Sequence, residues 1–567
     1  MQGWRFARKI MTRKFLRILA SFLILANSFV IAPQAKTQRT IPVALVYPIE
    51  QIQGERILNH TKTLASVKFE GRSPGTIGEQ LTTQYLSREF RLAGLQPGNP
   101  NGTFFQAVPL VGFKTTPQIV LSIGGKAMPL KFTEDFVHDV PRLRPNLRAE
   151  IADVIFAGYG IVAPKYGWDD YKHIDVKNKL VILLSGEPSR PDITDEKKSD
   201  AAFFRGETRT YSSTREAKYE EARKRGAAGI LVITDPDKSE TFSIFKTFAQ
   251  MEGMALKSSA SQYSPAIAGL ITKQAFDRMA VFAGLNPSEL EKSAQTSEFK
   301  AISLKTTGEI SVTSKIRNFT SRNVVARVEG SDPKLKNEYV IYSAHWDHLG
   351  RDTSLVGDQI YNGASDNAAG TAQLLEIARG FAMTKPRPRR SILFIATTGE
   401  EKGFLGSRFY AQNPLYPIAK SVAAINLDAC NPFGLTKDLA SAGFGNSTLD
   451  DTLATAAEMQ GRTFLKESLD GNGAYYFASD QIEFARVGIP AVFPLNGNDY
   501  VGKPSGYGEK MWNDFGKNRY HQVGDEVMPD WDMAGAVEDA RWMMIAGYLV
   551  ANEPNRPMWL VGSEFKR

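Results

Sequence analysis

Residues 323–552 alternate between short apolar runs and amphipathic segments, and this alternation constrains the fold more than any other feature. The apolar runs have the length of buried strands, and they lie at residues 324–328, 339–343, 391–397, 422–427 and 491–494. Helical segments fall between or after them, at residues 368–381, 406–412, 449–460 and 533–550. The pattern predicts an α/β domain with a mostly parallel sheet flanked by helices.

Acidic residues and histidines follow these strand-like runs. Five short segments carry them: His345-Trp346-Asp347, Asp366-Asn367, Gly399-Glu400-Glu401, Asn426-Leu427-Asp428 and Tyr520-His521. All but the last come just after a predicted strand or on the loop that follows it. Because ligands bind at the carboxyl ends of strands in such sheets, we expect the segments to contribute to one site.

The residue types in these segments match the ligands of two adjacent zinc ions. Zinc accepts imidazole nitrogen and carboxylate oxygen, and two ions about 3.5–4 Å apart can share a bridging carboxylate. The candidate metal ligands are His345, Asp366, Glu401, Asp428 and His521. We therefore predict two zinc ions per chain as cofactors.

Two further carboxylates have predicted roles beside the metal ions. Glu400 is adjacent to a ligand and is predicted to act as the general base on water. Asp347 lies two residues after His345, so in an extended segment both side chains face the same side. Asp347 is predicted to accept the second N–H of the His345 imidazole; the alternative is a solvated loop carboxylate.

Other catalytic classes lack their motifs. The sequence has no His-Glu-x-x-His helix, no Gly-x-Ser-x-Gly turn and no phosphate-binding loop of the Walker type. The single cysteine, Cys430, could act as a thiolate ligand, but the ligand set is complete without it, and we predict a small buried residue. The remaining histidines are predicted to be structural or surface residues: His60, His138, His173 and His348.

The N-terminus carries the excess of positive charge. Six basic residues and no acid lie in residues 1–35, and without them the net charge of +8 falls to +2. A mostly apolar run follows at residues 18–32, so residues 1–35 are predicted to be a signal peptide. The alternative is an uncleaved anchor. We expect an exported protein that is periplasmic, secreted or envelope-associated, with no stable membrane insertion after cleavage and no nucleic-acid partner.

The length of 567 residues predicts more than one domain. Residues 50–130 are predicted to form an N-terminal part of the catalytic domain, and residues 315–555 the main part. Between them, residues 140–300 contain a second, smaller α/β pattern with few acids or histidines arranged for chemistry. We predict that this block is an inserted domain.

The region from Asn323 to about Asn552 resembles metallopeptidase family 28, the co-catalytic zinc aminopeptidases that also include glutamate carboxypeptidase II. The matching motifs are His345-Trp346-Asp347-His348-Leu349-Gly350, Asn362-Gly363-Ala364-Ser365-Asp366-Asn367-Ala368-Ala369-Gly370, Gly399-Glu400-Glu401-Lys402-Gly403-Phe404-Leu405-Gly406-Ser407, Asn426-Leu427-Asp428 and Tyr520-His521. Residues from about 150 to 270 resemble a protease-associated domain. The resemblance implies a zinc-exopeptidase (phosphorylase/hydrolase-like) fold with that domain inserted.

The resemblance also implies the role of each residue. Asp366 would bridge the two zinc ions, with His345 and Asp428 on one ion and Glu401 and His521 on the other. Glu400 would be the base. Tyr520 matches the family tyrosine that hydrogen-bonds the carbonyl oxygen as it becomes an oxyanion; the alternative is a packing aromatic.

We therefore expect an exported aminopeptidase that removes N-terminal amino acids from peptides. One alternative is a carboxypeptidase or dipeptidase with the same metal site, although the sequence shows no arginine cluster for a free carboxylate. The other is a non-catalytic binding protein built on a peptidase fold. Side-chain preference and oligomeric state do not follow from the sequence.

Overall fold

The computed structural model describes residues 39–141, 143–258, 265–428, 430–466 and 474–566. The predicted signal peptide, residues 1–35, lies outside the described residues.

A twelve-stranded sheet organises the described part of the predicted catalytic region. Its four central strands are parallel, in the order Ser391–Thr397, Tyr339–His345, Ser421–Asn426 and Ala491–Asn496. The predicted strands are present, with ends that shift by at most two residues except at the first. The α/β class is confirmed, and three parallel pairs lie at the centre of the sheet.

Antiparallel strands extend the sheet on both sides of this centre. On one side, Thr307–Val328 pairs along its length with Phe105–Ile123, and this pair is called the ribbon below. The other strands of the sheet are Gln96–Pro97, Lys126–Leu130, Asn146–Ile151, Gly253–Leu256, Asp438–Ala442 and Thr463–Phe464. The sequence predicted a strand at residues 324–328, but this strand begins at Thr307. The predicted start was wrong, because exposed polar residues alternate with buried ones along the ribbon.

Helices cover both faces of the central strands. Along Tyr339–His345, Val340 and Tyr342 enter one hydrophobic core, whereas Tyr339 and Ile341 enter another on the opposite face. This alternation is what a sheet buried on both sides requires. The helices of this region are Val43–Glu50, Gly54–Leu64, Ile77–Leu92, Gly370–Met383, Leu405–Gln412, Leu449–Met459, Gln481–Arg486, Tyr507–Asn518 and Ala534–Asn552.

A second sheet of six strands lies between residues 136 and 303, and we propose that this range is the inserted unit. Its parallel centre consists of Val154–Phe156, Leu180–Leu184, Gly229–Thr234 and Ile267–Thr272, with Phe136–Pro141 and Ile302–Ser303 antiparallel at the edges. Its helices are Arg215–Lys224, Thr241–Gln250, Lys273–Phe282 and Pro287–Ser293. The helix Thr241–Gln250, called the inserted helix below, was not predicted from the sequence.

Two short antiparallel strand pairs lie outside the two large sheets. Val162–Ala163 pairs with Trp168–Asp169, and Gly350–Arg351 pairs with Ile360–Tyr361. Among the residues that the structure describes, none of the helices combines the length and the apolar character needed to cross a membrane.

Candidate metal centre

Three neighbouring parallel strands end at the same edge of the large sheet and carry candidate ligands there. His345 is the last residue of its strand and lies in register with Thr397 of the neighbouring strand. On the other side, Ser343 is in register with Asn426. Glu400 and Glu401 follow Thr397 after a short turn, and Asp428 follows Asn426. The topology thus brings together residues that lie up to 83 positions apart in the sequence.

The carboxylate of Asp366 lies between two histidines. His345 Nε2 is 3.3 Å from Asp366 Oδ1, and His521 Nε2 is 3.1 Å from Asp366 Oδ2. Each oxygen of one carboxylate therefore faces a different imidazole. This is the arrangement that a carboxylate bridging two metal ions requires.

Each histidine has a further carboxylate beside it. Asp428 Oδ1 lies 2.8 Å from His345 Nε2, and Glu401 Oε2 lies 3.2 Å from His521 Nε2. The five predicted ligands therefore form two groups that share only Asp366. These are the groups that the family resemblance implied.

Electrostatics favour positive charge at both groups. Burial opposes charge on the His345 imidazole, but Asp428 and Glu400 raise its pKa well above the usual value. Burial also opposes charge on His521, yet Glu401 and Asp366 raise its pKa to about 10. Such a concentration of carboxylates stabilises a cation. Nitrogen and oxygen donors in this number fit zinc, and the ligand atoms of His345, Asp366 and Asp428 all lie within 4.8 Å of one another.

Glu400 lies beside this cluster and is buried among acids. Its Oε2 is 3.9 Å from His345 Nε2, farther than the carboxylates of Asp366 and Asp428. Burial raises the pKa of Glu400 well above its usual value, and the nearby Asp428 raises it further. A raised pKa favours acceptance of a proton by this carboxylate, as a general base requires.

Asp347 holds the backbone at Glu400 rather than the imidazole of His345. The carboxylate lies 3.9 Å from His345 Nδ1, so the predicted hydrogen bond is not formed. Nδ1 instead lies 3.1 Å from the backbone carbonyl oxygen of Asp347, to which it can donate. That contact leaves Nε2 free to bind a metal ion. The Asp347 carboxylate accepts the backbone N–H of Glu400 at 3.1 Å.

His348 is part of the cluster, although the sequence interpretation made no use of it. The residue is fully buried, and its Nδ1 lies 2.6 Å from Glu401 Oε1. One oxygen of Glu401 thus faces His348 and the other faces His521. The structure therefore gives His348 a specific contact with a candidate ligand, and its place three residues after His345 was the only sequence signal for it.

Two buried charged residues hold the loop that carries Asp366, and neither was predicted from the sequence. Arg72, from the N-terminal region, donates hydrogen bonds to the backbone carbonyls of Trp346 at 2.9 Å and Gly363 at 2.9 Å. Asp525 accepts the backbone N–H of Asp366 at 3.0 Å. These contacts join segments that are hundreds of residues apart, so no local pattern could reveal them.

The remaining predicted residues lie at the edge of the cluster or outside it. Tyr520 is 40% exposed, and its ring stacks on His521 with centroids 3.8 Å apart. Cys430 is buried, and burial raises the pKa of its thiol, which agrees with the predicted small buried residue. His60 and His138 are buried outside the cluster, and His173 is exposed.

Comparison with known families identifies this region. Residues 323–545 match the family model for peptidase family M28. They include all five segments of the cluster. This region is therefore similar to peptidase family M28.

Curated relatives share only part of their length with this chain. Aminopeptidase NAALADL1 of Mus musculus is 36% identical over 125 residues, which are 21% of this chain and 15% of that protein. A vacuolar membrane protease of Lachancea thermotolerans is 32% identical over 124 residues, 22% of this chain and 11% of that protein. The chain thus matches less than a fifth of the length of either relative.

Solved structures align over more of the chain at lower identity. An aminopeptidase from Aneurinibacillus sp. strain AM-1 is 19% identical, with 90% of this chain and 96% of that chain covered and a TM-score of 0.49. The zinc aminopeptidase BSAP from Bacillus subtilis is 17% identical, with 91% and 97% covered and a TM-score of 0.42.

Proposed function

We propose that this chain is a two-zinc aminopeptidase that hydrolyses the first peptide bond of peptide substrates. One observation carries the proposal: the two oxygens of Asp366 face two separate groups, each with one histidine and one further carboxylate. The match of residues 323–545 to the model for peptidase family M28 and the similarity to a protein named as an aminopeptidase support it. In this proposal, His345 and Asp428 would hold one ion, and Glu401 and His521 would hold the other.

Zinc and the Glu400 side chain have different roles in the proposed reaction. Zinc, when bound, polarises the carbonyl of the scissile bond and lowers the pKa of water. Glu400 takes a proton from the attacking water and returns it to the nitrogen of the leaving amine. The buried position of Glu400 keeps bulk water from competing for that proton.

Supporting residues fix the geometry of these groups. Asp347 holds the backbone N–H of Glu400, and the contact of His348 with Glu401 Oε1 orients the other carboxylate oxygen toward His521. Tyr520, partly exposed beside His521, is proposed to donate its hydroxyl proton in a hydrogen bond to the carbonyl oxygen as negative charge develops there.

The surroundings of the catalytic region are also part of the proposal. The basic and apolar character of residues 1–35 supports export to the periplasm, the envelope or the medium. The inserted unit is proposed to be a protease-associated domain, on the resemblance of residues from about 150 to 270.

A free amino group on the substrate distinguishes an aminopeptidase from the carboxypeptidase alternative. We expect the purified chain to release p-nitroaniline from leucine p-nitroanilide at least about 10- to 100-fold faster than from its N-acetylated form, because carboxylates at the site can bind the ammonium group. The release rates, measured at equal enzyme concentration, check this expectation. Cleavage of an N-blocked dipeptide with a free carboxylate, and none of the anilide, would instead identify a carboxypeptidase.

A further inference from the structure

The inserted helix, Thr241–Gln250, reaches the metal centre with one aromatic side chain. The ring of Phe248 lies 5.2 Å from the ring of His521, centroid to centroid, at an angle of 49°. Lys402 Nζ, one residue beyond Glu401, lies 5.1 Å from the centroid of the same ring. A residue of the inserted unit is therefore in contact with both a candidate ligand and the turn that carries Glu400.

The segment after the inserted helix is fixed to the catalytic region. Strand Gly253–Leu256 pairs antiparallel with the ribbon, and Met254 and Leu256 are buried in a cluster with Leu405. Leu405 begins the helix that follows the Glu400 turn. Glu252 accepts two hydrogen bonds from Arg317 of the ribbon, each of 2.6 Å. These contacts hold Phe248 at a defined distance from the metal ligands.

Phe248 belongs to an aromatic surface that is open beside the metal centre. Phe248 is half-buried, as is Phe245, whose ring lies 5.8 Å away. Three more aromatic rings lie near His521. The ring centroids of Tyr520 and Phe515 are 6.1 Å apart, and those of Phe515 and Trp512 are 5.9 Å apart. Partly exposed aromatic rings next to polar catalytic groups are typical of a pocket that binds an apolar ligand group.

We propose that Phe248 is a specificity-determining residue, forming a wall of the subsite that receives a large apolar side chain of the substrate next to the scissile bond. The inference rests on the proposed peptidase function and adds the substrate class. The inserted unit would then take part in substrate selection, because its side chain of Phe248 lies at the candidate metal centre.

Two substitutions at Phe248 test the subsite. Phe248→Ala removes the wall, and Phe248→Trp narrows the subsite while keeping an aromatic ring against His521. Peptide substrates are compared in two series that vary the N-terminal residue or the residue after it among Ala, Leu and Phe. We expect each variant to lower kcat/KM for the large apolar residues at one of the two positions by about 10-fold or more, mainly through KM, with less than about a 2-fold change for Ala.

Phe282→Ala is the matched control, because Phe282 is an exposed phenylalanine of the same unit that ends another helix. Phe282→Ala should leave kcat/KM for both substrate series and the zinc content unchanged. A uniform loss across all substrates would mean that Phe248 only supports His521 and would overturn the inference, as would unchanged selectivity in both variants. Wild-type protein that cleaves no peptide would overturn the proposed function itself, and the inference with it.

Discussion

Replacing Glu400 by glutamine should lower kcat by about 10²–10⁴-fold or more and leave both zinc ions bound. Glutamine keeps the shape of the side chain but cannot accept a proton from water. The Glu400 carboxylate lies 3.9 Å from His345 Nε2, farther than the carboxylates of Asp366 and Asp428. Its replacement should therefore leave the candidate metal site occupied. Steady-state rates and zinc content of the same preparation check both parts.

The control for this substitution is Glu298→Gln, at an exposed position of the inserted unit. It should retain the wild-type rate and zinc content. If Glu400→Gln kept nearly normal activity, the assignment of Glu400 as the base would be wrong. If it lost zinc together with activity, Glu400 would be acting as a ligand.

Replacing Asp366 by alanine should release both metal ions and abolish activity. Each oxygen of Asp366 faces one of the two groups of candidate ligands, so its loss removes one donor from each group. Without the metal ions, the pKa of water is no longer lowered, and the rate should fall by about 10⁴-fold or more. Zinc content after dialysis and the rate on an amino acid p-nitroanilide measure these effects.

Asp428→Ala is the informative comparison, because Asp428 contacts the histidine of one group, His345. We expect it to weaken one ion and to leave the other bound. Retention of two tightly held ions by Asp366→Ala would refute the bridging role. Equal metal loss in the two variants would show that the groups do not bind their ions separately.

The sequence predicted the central sheet well because its strands are buried on both faces. The strand Ser391–Thr397 was predicted with its observed ends, since every residue in it is buried and residues 392–396 are all apolar. Residues 307–323 of the ribbon were missed, because polar residues at exposed positions resemble a loop. The inserted helix was also missed, and with it the approach of Phe248 to the metal centre.

The candidate ligands could be found from the sequence because each follows a strand or lies in a recognisable motif. Their supporting contacts could not, since they depend on local geometry or distant segments. Asp347 shares the extended pattern that predicted its contact with His345, yet its carboxylate accepts the Glu400 N–H instead. Arg72 contacts the carbonyl of Trp346 from 274 positions away, which only the folded chain can show.

Zinc content and activity, measured together on the full purified chain, test the central claim most directly. We expect two zinc ions per chain, loss of p-nitroaniline release after chelation, and recovery of the full rate as two equivalents of zinc are returned. Full activity in a chelated protein that contains no metal would contradict the account, as would full recovery with one ion bound.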